Sequence, residues 1–132
     1  MKLTNAELKE GYEKLKEYDN IEISGELVWA VIANTEEIEP QLAKYQKSYE
    51  RLVQDQIVKD EDGNPVYPEG KSEERGDDPK FEDKQQLLED LQGLLEKEVE
   101  VDIETVTRQE FLNGVKKDLT PKDIRPLMFM IE

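Results

Sequence analysis

Apolar residues recur at helical spacing over most of this chain and at strand spacing in one short run toward its C-terminal end. Thr4 and Glu7 stand three apart, the spacing of a capping box. They predict a first helix whose buried stripe is Leu8, Tyr12 and Leu15 and which Asp19-Asn20 ends. Ile21-Glu22-Ile23 alternates and predicts a brief strand. Then Leu27, Val31, Thr35, Ile38, Leu42, Tyr45, Tyr49 and Leu52 follow one another at steps of three and four. From Val31 onward this is the spacing of an a/d seam. A long second helix from Gly25 to about Val58 is expected, with Ser24 as its N-cap. Pro40 falls inside it; an interior proline removes a hydrogen bond and costs about 3 kcal/mol. Because the periodicity continues in phase past Pro40, a kink near Ile38 is expected rather than a break.

Residues 59–80 change character, being rich in proline, glycine and acids. This is the composition of an acidic, mobile connector. Asp62-Gly63 marks a turn, and Val66 and Tyr67 are placed to pair with Ile57 and Val58 as a small hairpin. Asp78-Pro79 reads as an N-cap followed by proline at the first helical position. The third helix then carries Phe81, Leu88, Leu91 and Leu95, flanked by Leu87 and Leu94. Two helices joined by one connector predict an antiparallel hairpin. Glu98 to Val106 is the clearest strand, with Val99, Val101, Ile103 and Thr105 on one face and four acids on the other. A short helical or looped piece is expected at Thr107–Asn113, and Thr120-Pro121 with Asp123 opens a C-terminal helix carrying Ile124, Leu127, Met128 and Ile131. Pro126 makes that helix irregular. The fold class is α+β, mostly α: a long antiparallel helical hairpin with a small β element and a C-terminal helix, in a single domain over residues 1–132.

Charge and the missing residue types narrow the chemistry. The chain has 33 aspartates and glutamates against 18 lysines and arginines, a formal charge of −15, and neither histidine nor cysteine. The usual general base, the thiol nucleophile and Cys/His zinc sites are thereby excluded, and no disulfide staples the fold. A charge of this sign repels nucleic acid and anionic membrane and favours cationic partners. The first eight residues are polar, unlike a signal peptide, and the longest apolar run, Leu27 to Ala33, is far too short to span a bilayer. The expectation is a soluble, cytoplasmic protein that binds neither nucleic acid nor membrane directly.

No motif for catalysis or cofactor binding emerges. Asp60-Glu61-Asp62-Gly63-Asn64 suggests a calcium loop, but glycine falls at position 4 and proline at position 6, which the EF-hand geometry does not allow. No acid stands alone in an apolar context that would make it a catalytic proton donor. No metal, cofactor or catalytic residue is assigned, and a non-enzymatic protein is expected. Two surfaces stand out instead. Glu98, Glu100, Asp102 and Glu104 lie on one strand face at intervals of about 6.6 Å, an anionic row spaced like the phosphates of a nucleic-acid strand; Asp60, Glu61 and Asp62 would supplement it. Equally, such a row is the solvated face of a thin domain, its charges guarding against edge aggregation. The second surface is apolar. Trp29, with Val28 and Ile32, makes one turn of the long helix apolar nearly all round, which predicts burial on every side. Either the C-terminal segment Leu127, Met128, Phe129 and Met130 covers that turn, or another subunit does, so homo-oligomerisation is open.

Four segments taken together resemble small proteins encoded by tailed phages and prophages of Gram-positive bacteria: MKLTNAEL at the start, the DEDGNP turn, LLEKEVEVDIETV, and the terminal LTPKDIRPLMFMIE. The resemblance covers most of the chain and carries over no residue roles. It implies a viral origin and a non-enzymatic role. Two functions are then expected. The first is a structural or assembly accessory of the virion, packing through its apolar helices against itself or another phage protein. The second is an acidic inhibitor of a host nucleic-acid-binding defence protein, of the DNA-mimic or anti-CRISPR kind, acting through the anionic row. The seam and the apolar turn are positive patterns whereas the charge is diffuse, which places the accessory first.

Overall fold

The computed structural model of the chain describes residues Met1–Glu132, and the fold is α+β, mostly α. Its elements in order are β1 (Lys2–Thr4), α1 (Asn5–Tyr18), α2 (Glu26–Gln56), a 3₁₀ turn (Glu73–Arg75), α3 (Lys84–Glu96), β2 (Glu98–Glu100), α4 (Arg108–Gly114), α5 (Pro121–Ile124) and a 3₁₀ helix (Arg125–Met130). No helix is long and apolar enough to cross a membrane. The chain divides into two compact units, Met1–Tyr45 with Leu95–Glu132, and Gln46–Leu94.

The first unit holds the main core. The Thr4 hydroxyl accepts from the Glu7 N–H while the Glu7 carboxylate accepts from the Thr4 N–H, so α1 starts as its capping box dictates. Leu8 and Leu15 of the expected stripe are fully buried, and Tyr12 packs at the margin. α2 enters through Gly25, whose φ of 70° is the left-handed region that suits glycine. The helix runs unbroken through Pro40, and its buried positions Leu27, Val31, Ile38 and Tyr45 are seam residues. β1 and β2 pair antiparallel, Leu3 opposite Val99 and Lys2 opposite Glu100. The expected strand Ile21–Ile23 contracts to one antiparallel bridge, Ile23 with Val115. There the backbone of α4 comes so close to α2 that a Cβ on Gly114 would stand 2.8 Å from the Ser24 carbonyl oxygen and 2.9 Å from Leu27 Cβ.

Two expected elements of this unit come out differently. The strand foreseen over Glu98–Val106 is regular only to Glu100, because its partner β1 is three residues long. Beyond it the chain is held by side-chain bonds from α2 at Asp102 and Glu104 and, at its end, by a parallel bridge of Val106 with Ile131. The C-terminal helix gives way at Pro126, which has no N–H to donate, and continues as 3₁₀. Three residues per turn put Leu127 and Met130 on one face, and these are the two buried there, while Met128 turns outward.

The second unit contains the end of α2 and most of α3. Residues 57–59, 65–66 and 80–81 are tied by backbone bonds: Val66 N–H to Val58 O, Val58 N–H to Lys80 O and Lys80 N–H to Val66 O. Of the expected hairpin the Val66–Val58 part is present, with Lys59 bridging Pro65, whereas Ile57 pairs elsewhere and not with Tyr67. Phe81 is drawn into an antiparallel bridge with Ile57. That pairing overturns the expected helix start at Asp78-Pro79: the chain stays extended there, and α3 begins at Lys84. Asp83 does the capping, its carboxylate accepting from the Gln86 N–H at 3.0 Å. Leu87 is buried and Leu88, expected inside, is 53% exposed.

Tyr18 closes the α1 end of the core. Its hydroxyl donates to the Asp123 carbonyl at 3.1 Å, and its ring lies 6.1 Å from that of Phe111 at a tilt of 42°. Burial first, then the charges of Asp123 and Glu17, push the phenol up to about 12. An unfolded tyrosine ionises near pH 10. The fold therefore holds the proton more tightly than the free chain; this stabilisation is full below pH 10 and is lost as the pH rises through 12. A two-unit displacement corresponds to roughly 2–3 kcal/mol. The urea midpoint is expected to fall between pH 10 and 12 by more in the native chain than in Tyr18→Phe. Parallel curves for the two proteins would show that Tyr18 ionises as freely folded as unfolded.

Candidate functional site

The anionic row has the exposure that the alternation predicts. Glu98, Glu100, Asp102 and Glu104 all lie at the surface, with Val101 buried and Val99 and Ile103 half-buried between them. Their backbone is held on two supports. On the β1 side the Val101 N–H donates to the Met1 carbonyl at 2.9 Å. On the α2 side Glu37 accepts from the Asp102 N–H at 3.0 Å, and Asn34 brackets Glu104. The Asn34 Oδ1 accepts from the Glu104 N–H at 2.7 Å while its Nδ2 donates to the Glu104 carbonyl at 2.9 Å. A buried primary amide thus offers the extended chain the donor and acceptor of a neighbouring strand. Neither Asn34 nor Glu37 belongs to the apolar seam, so periodicity gives no sign of this role.

The four carboxylates are not equivalent. Glu100 faces Lys2 across the sheet and accepts from the Met1 ammonium at 2.8 Å, which holds it below the usual carboxylate range. Glu98, Asp102 and Glu104 make no ion pair. The row is three free charges and one occupied one.

Asp60, Glu61 and Asp62, expected to supplement the row, lie in the second unit. Asp60 has a structural task there. Its Oδ1 accepts from the Asp62 and Asn64 N–H groups at 3.0 and 2.9 Å, and its own N–H donates to the Asn64 carbonyl. This is the side-chain-closed turn that aspartate favours. Glu61 and Asp62 point to solvent. No group of three or more carboxylates is placed to hold a metal ion.

The apolar residues divide in a way the sequence does not foretell. Leu127 and Met130 are fully buried in the first unit's own core and offer nothing to a partner. Phe129 is half-buried against Gly11, where a Cβ would meet its ring at 2.6 Å. The expectation that the C-terminal segment covers the turn around Trp29 fails, because its apolar side chains are spent on α1 and the core. Trp29 is 61% exposed and Ile32 48% exposed. Trp29 sits roughly 200° around α2 from Leu27, at 100° per residue, so it faces away from the core. Beside it a groove of about 340 Å³ runs between the end of α1 and α2, with Ile21, Val28 and Ile32 among its walls and Asp19 and Glu22 at its edge.

A second apolar feature escaped the sequence entirely. Phe111 and Leu112 of α4 join Ile124, Met128 and Ile131 around a cavity of about 210 Å³. Arg108 is its one charged lining residue and pairs with no carboxylate of the chain. Leu112, 61% exposed, and Met128, 48% exposed, stand at this cavity. Leu112 reads as an unremarked position in a short helix, and only the folded C-terminal segment gives it neighbours.

Compared with protein families, with characterised proteins and with solved structures, the chain shows no significant similarity to any.

Proposed function

We propose that this chain is a non-enzymatic protein–protein interaction protein of a tailed phage, an accessory of virion structure or assembly that works in the host cytoplasm or in the particle. One observation carries the reading: the first unit buries a complete core yet leaves Trp29, Ile32, Leu112 and Met128 at its surface. Isolated surface leucines are ordinary, but a largely exposed tryptophan is a typical interface hot spot, and an apolar cavity beside an arginine is the kind of pocket such an anchor fills. Methionine adds a contact that adapts to its partner.

The acidic-inhibitor reading remains second, on the strength of Glu98, Asp102 and Glu104 standing unpaired on one extended segment. The two readings differ in their response to salt, since screening weakens an ionic contact over about 10 Å at 0.1 M and leaves an apolar one intact. The tagged protein, recovered from cells producing the phage and eluted in rising salt, is expected to retain head or tail proteins at 1 M salt, identified by mass spectrometry. Release of a basic nucleic-acid-binding protein at moderate salt, with no particle protein retained, would replace the accessory by the inhibitor.

A further inference from the structure

The first unit carries both a projecting indole and a cavity that no residue of its own chain fills. We propose that Trp29 of one copy inserts into the Arg108–Leu112–Met128 cavity of another, so that the protein assembles head to tail. This inference deepens the accessory reading and rests on it.

Size, charge and symmetry each bear on the choice of occupant. The cavity, at about 210 Å³, lies below the about 300–1,000 Å³ of small-molecule sites and suits one large side chain. Its sole charged wall residue is the unpaired guanidinium of Arg108. The surroundings of Trp29 have the opposite sign. Glu26 lies one helical turn before it and Glu36 two turns after, both exposed on the same side of α2, and Glu22 edges the neighbouring groove. An indole delivered to the cavity therefore brings carboxylates toward the one free cation there, and the guanidinium also favours the ring face. A symmetric contact of Trp29 with Trp29 would instead bring Asp19, Glu22 and Glu26 of both copies together, an arrangement that like charges oppose. Knob and cavity are different surfaces, so the contact closes as a ring or grows as a filament, or closes as a dimer where a twofold axis engages both pairs at once. Since each copy carries −15, long-range repulsion works against assembly, and salt should strengthen it.

The test uses sedimentation of the purified full chain at rising concentration in 0.05 and 0.5 M salt, with the fluorescence of Trp29, the chain's one tryptophan, as second readout. The native chain is expected to exceed monomer mass as concentration rises, more so in high salt, with emission shifting to the blue. Trp29→Ala and Leu112→Glu, both at largely exposed positions, are each expected to remain monomeric with unchanged circular dichroism. Mixed together they restore one intact knob and one intact cavity, so a species of twice the monomer mass, and none larger, is expected. Arg108→Glu is expected to abolish assembly, and Glu26→Arg on the copy that supplies the knob to restore it at least in part. A native chain that stays monomeric throughout, or a mixture of the two variants that fails to pair, would overturn the proposal. Retention of head or tail proteins by a strictly monomeric chain would overturn it while leaving the accessory reading intact.

Discussion

Asn34→Ala is expected to cost about 3 kcal/mol or more, with a fall in melting temperature of roughly 10 °C for a domain of this size. The size follows from what is left behind. Asn34 is fully buried, and its amide makes the paired bonds of 2.7 and 2.9 Å with Glu104. Truncation removes the partners of the part-buried Glu104 N–H and C=O and opens a space where the buried amide stood; a group left unsatisfied costs about 1–3 kcal/mol. Asn34→Leu fills the space without supplying either partner, so it is expected to rescue little. Asn34→Asp restores the acceptor but removes the donor and buries a charge beside an already acidic segment. Thermal unfolding followed by circular dichroism measures the loss, and amide exchange locates it: the Glu104 N–H should become fast in Asn34→Ala while the core of α1 stays protected. A loss below about 1 kcal/mol would mean that β1, Glu37 and the Val106–Ile131 bridge hold the extended segment without Asn34. Because these bonds hold Glu104 in line with Glu98, this substitution also loosens the far end of the anionic row without changing one of its charges.

Local signals and the seam as far as Tyr45 were legible in advance, because each depends on residues a few positions apart; Tyr49, expected on the seam, is exposed. The capping box at Thr4–Glu7 is complete within four residues, and α1 begins where that pair stands. The burial of Leu27, Val31, Ile38 and Tyr45 follows from helical spacing alone. What stayed hidden depends on partners distant in sequence. Phe81 looks helical by spacing, but its pairing with Ile57 decides that it is extended and moves the start of α3 to Lys84. Glu98–Val106 alternates like a full strand, yet the length of β1 decides where regular pairing stops. The turn around Trp29 is apolar all round, and nothing local tells that the C-terminal side chains are already committed to Gly11 and the core.

The candidate surfaces follow the same division. The acidic face of residues 98–104 is a matter of period two and was readable. Its partial neutralisation was not, because the Met1 ammonium that occupies Glu100 comes from the far end of the sequence. The apolar cavity is the extreme case: α4 supplies Arg108, Phe111 and Leu112, and α5 with the 3₁₀ segment and its end supplies Ile124, Met128 and Ile131. Pro126 is what makes it. By forcing a 3₁₀ path it sends Leu127 and Met130 inward and leaves Met128 between them on the outside, facing the cavity rather than the core. A regular helix over the same residues would have put Ile124, Leu127, Met128 and Ile131 on one buried stripe.

Phe111→Ala is expected to destabilise the fold by about 3–5 kcal/mol, the range for removing a buried aromatic ring. The ring is 1% exposed and stands between two regions: it packs at 6.1 Å on Tyr18 on its core side and walls the Arg108 cavity on the other. Its removal joins the cavity to the core and takes from Tyr18 the neighbour that helps keep its phenol dry, so the alkaline loss of stability should shrink in the same variant. Leu112, the next residue of α4, provides the internal comparison. It touches the same cavity but is largely exposed, and Leu112→Ala is expected within about 0.5 kcal/mol of the native chain. Urea unfolding of the two variants measures both quantities. Benzene at saturation is expected to raise the midpoint of Phe111→Ala and to leave Leu112→Ala unmoved, because an enlarged apolar cavity binds such a molecule in place of the lost ring. Equal losses in the two variants, or a benzene effect on both, would place the floor of the cavity outside the core. The interaction surface and the stability of the unit would then be one property, and substitutions on Leu112 could not test assembly apart from folding.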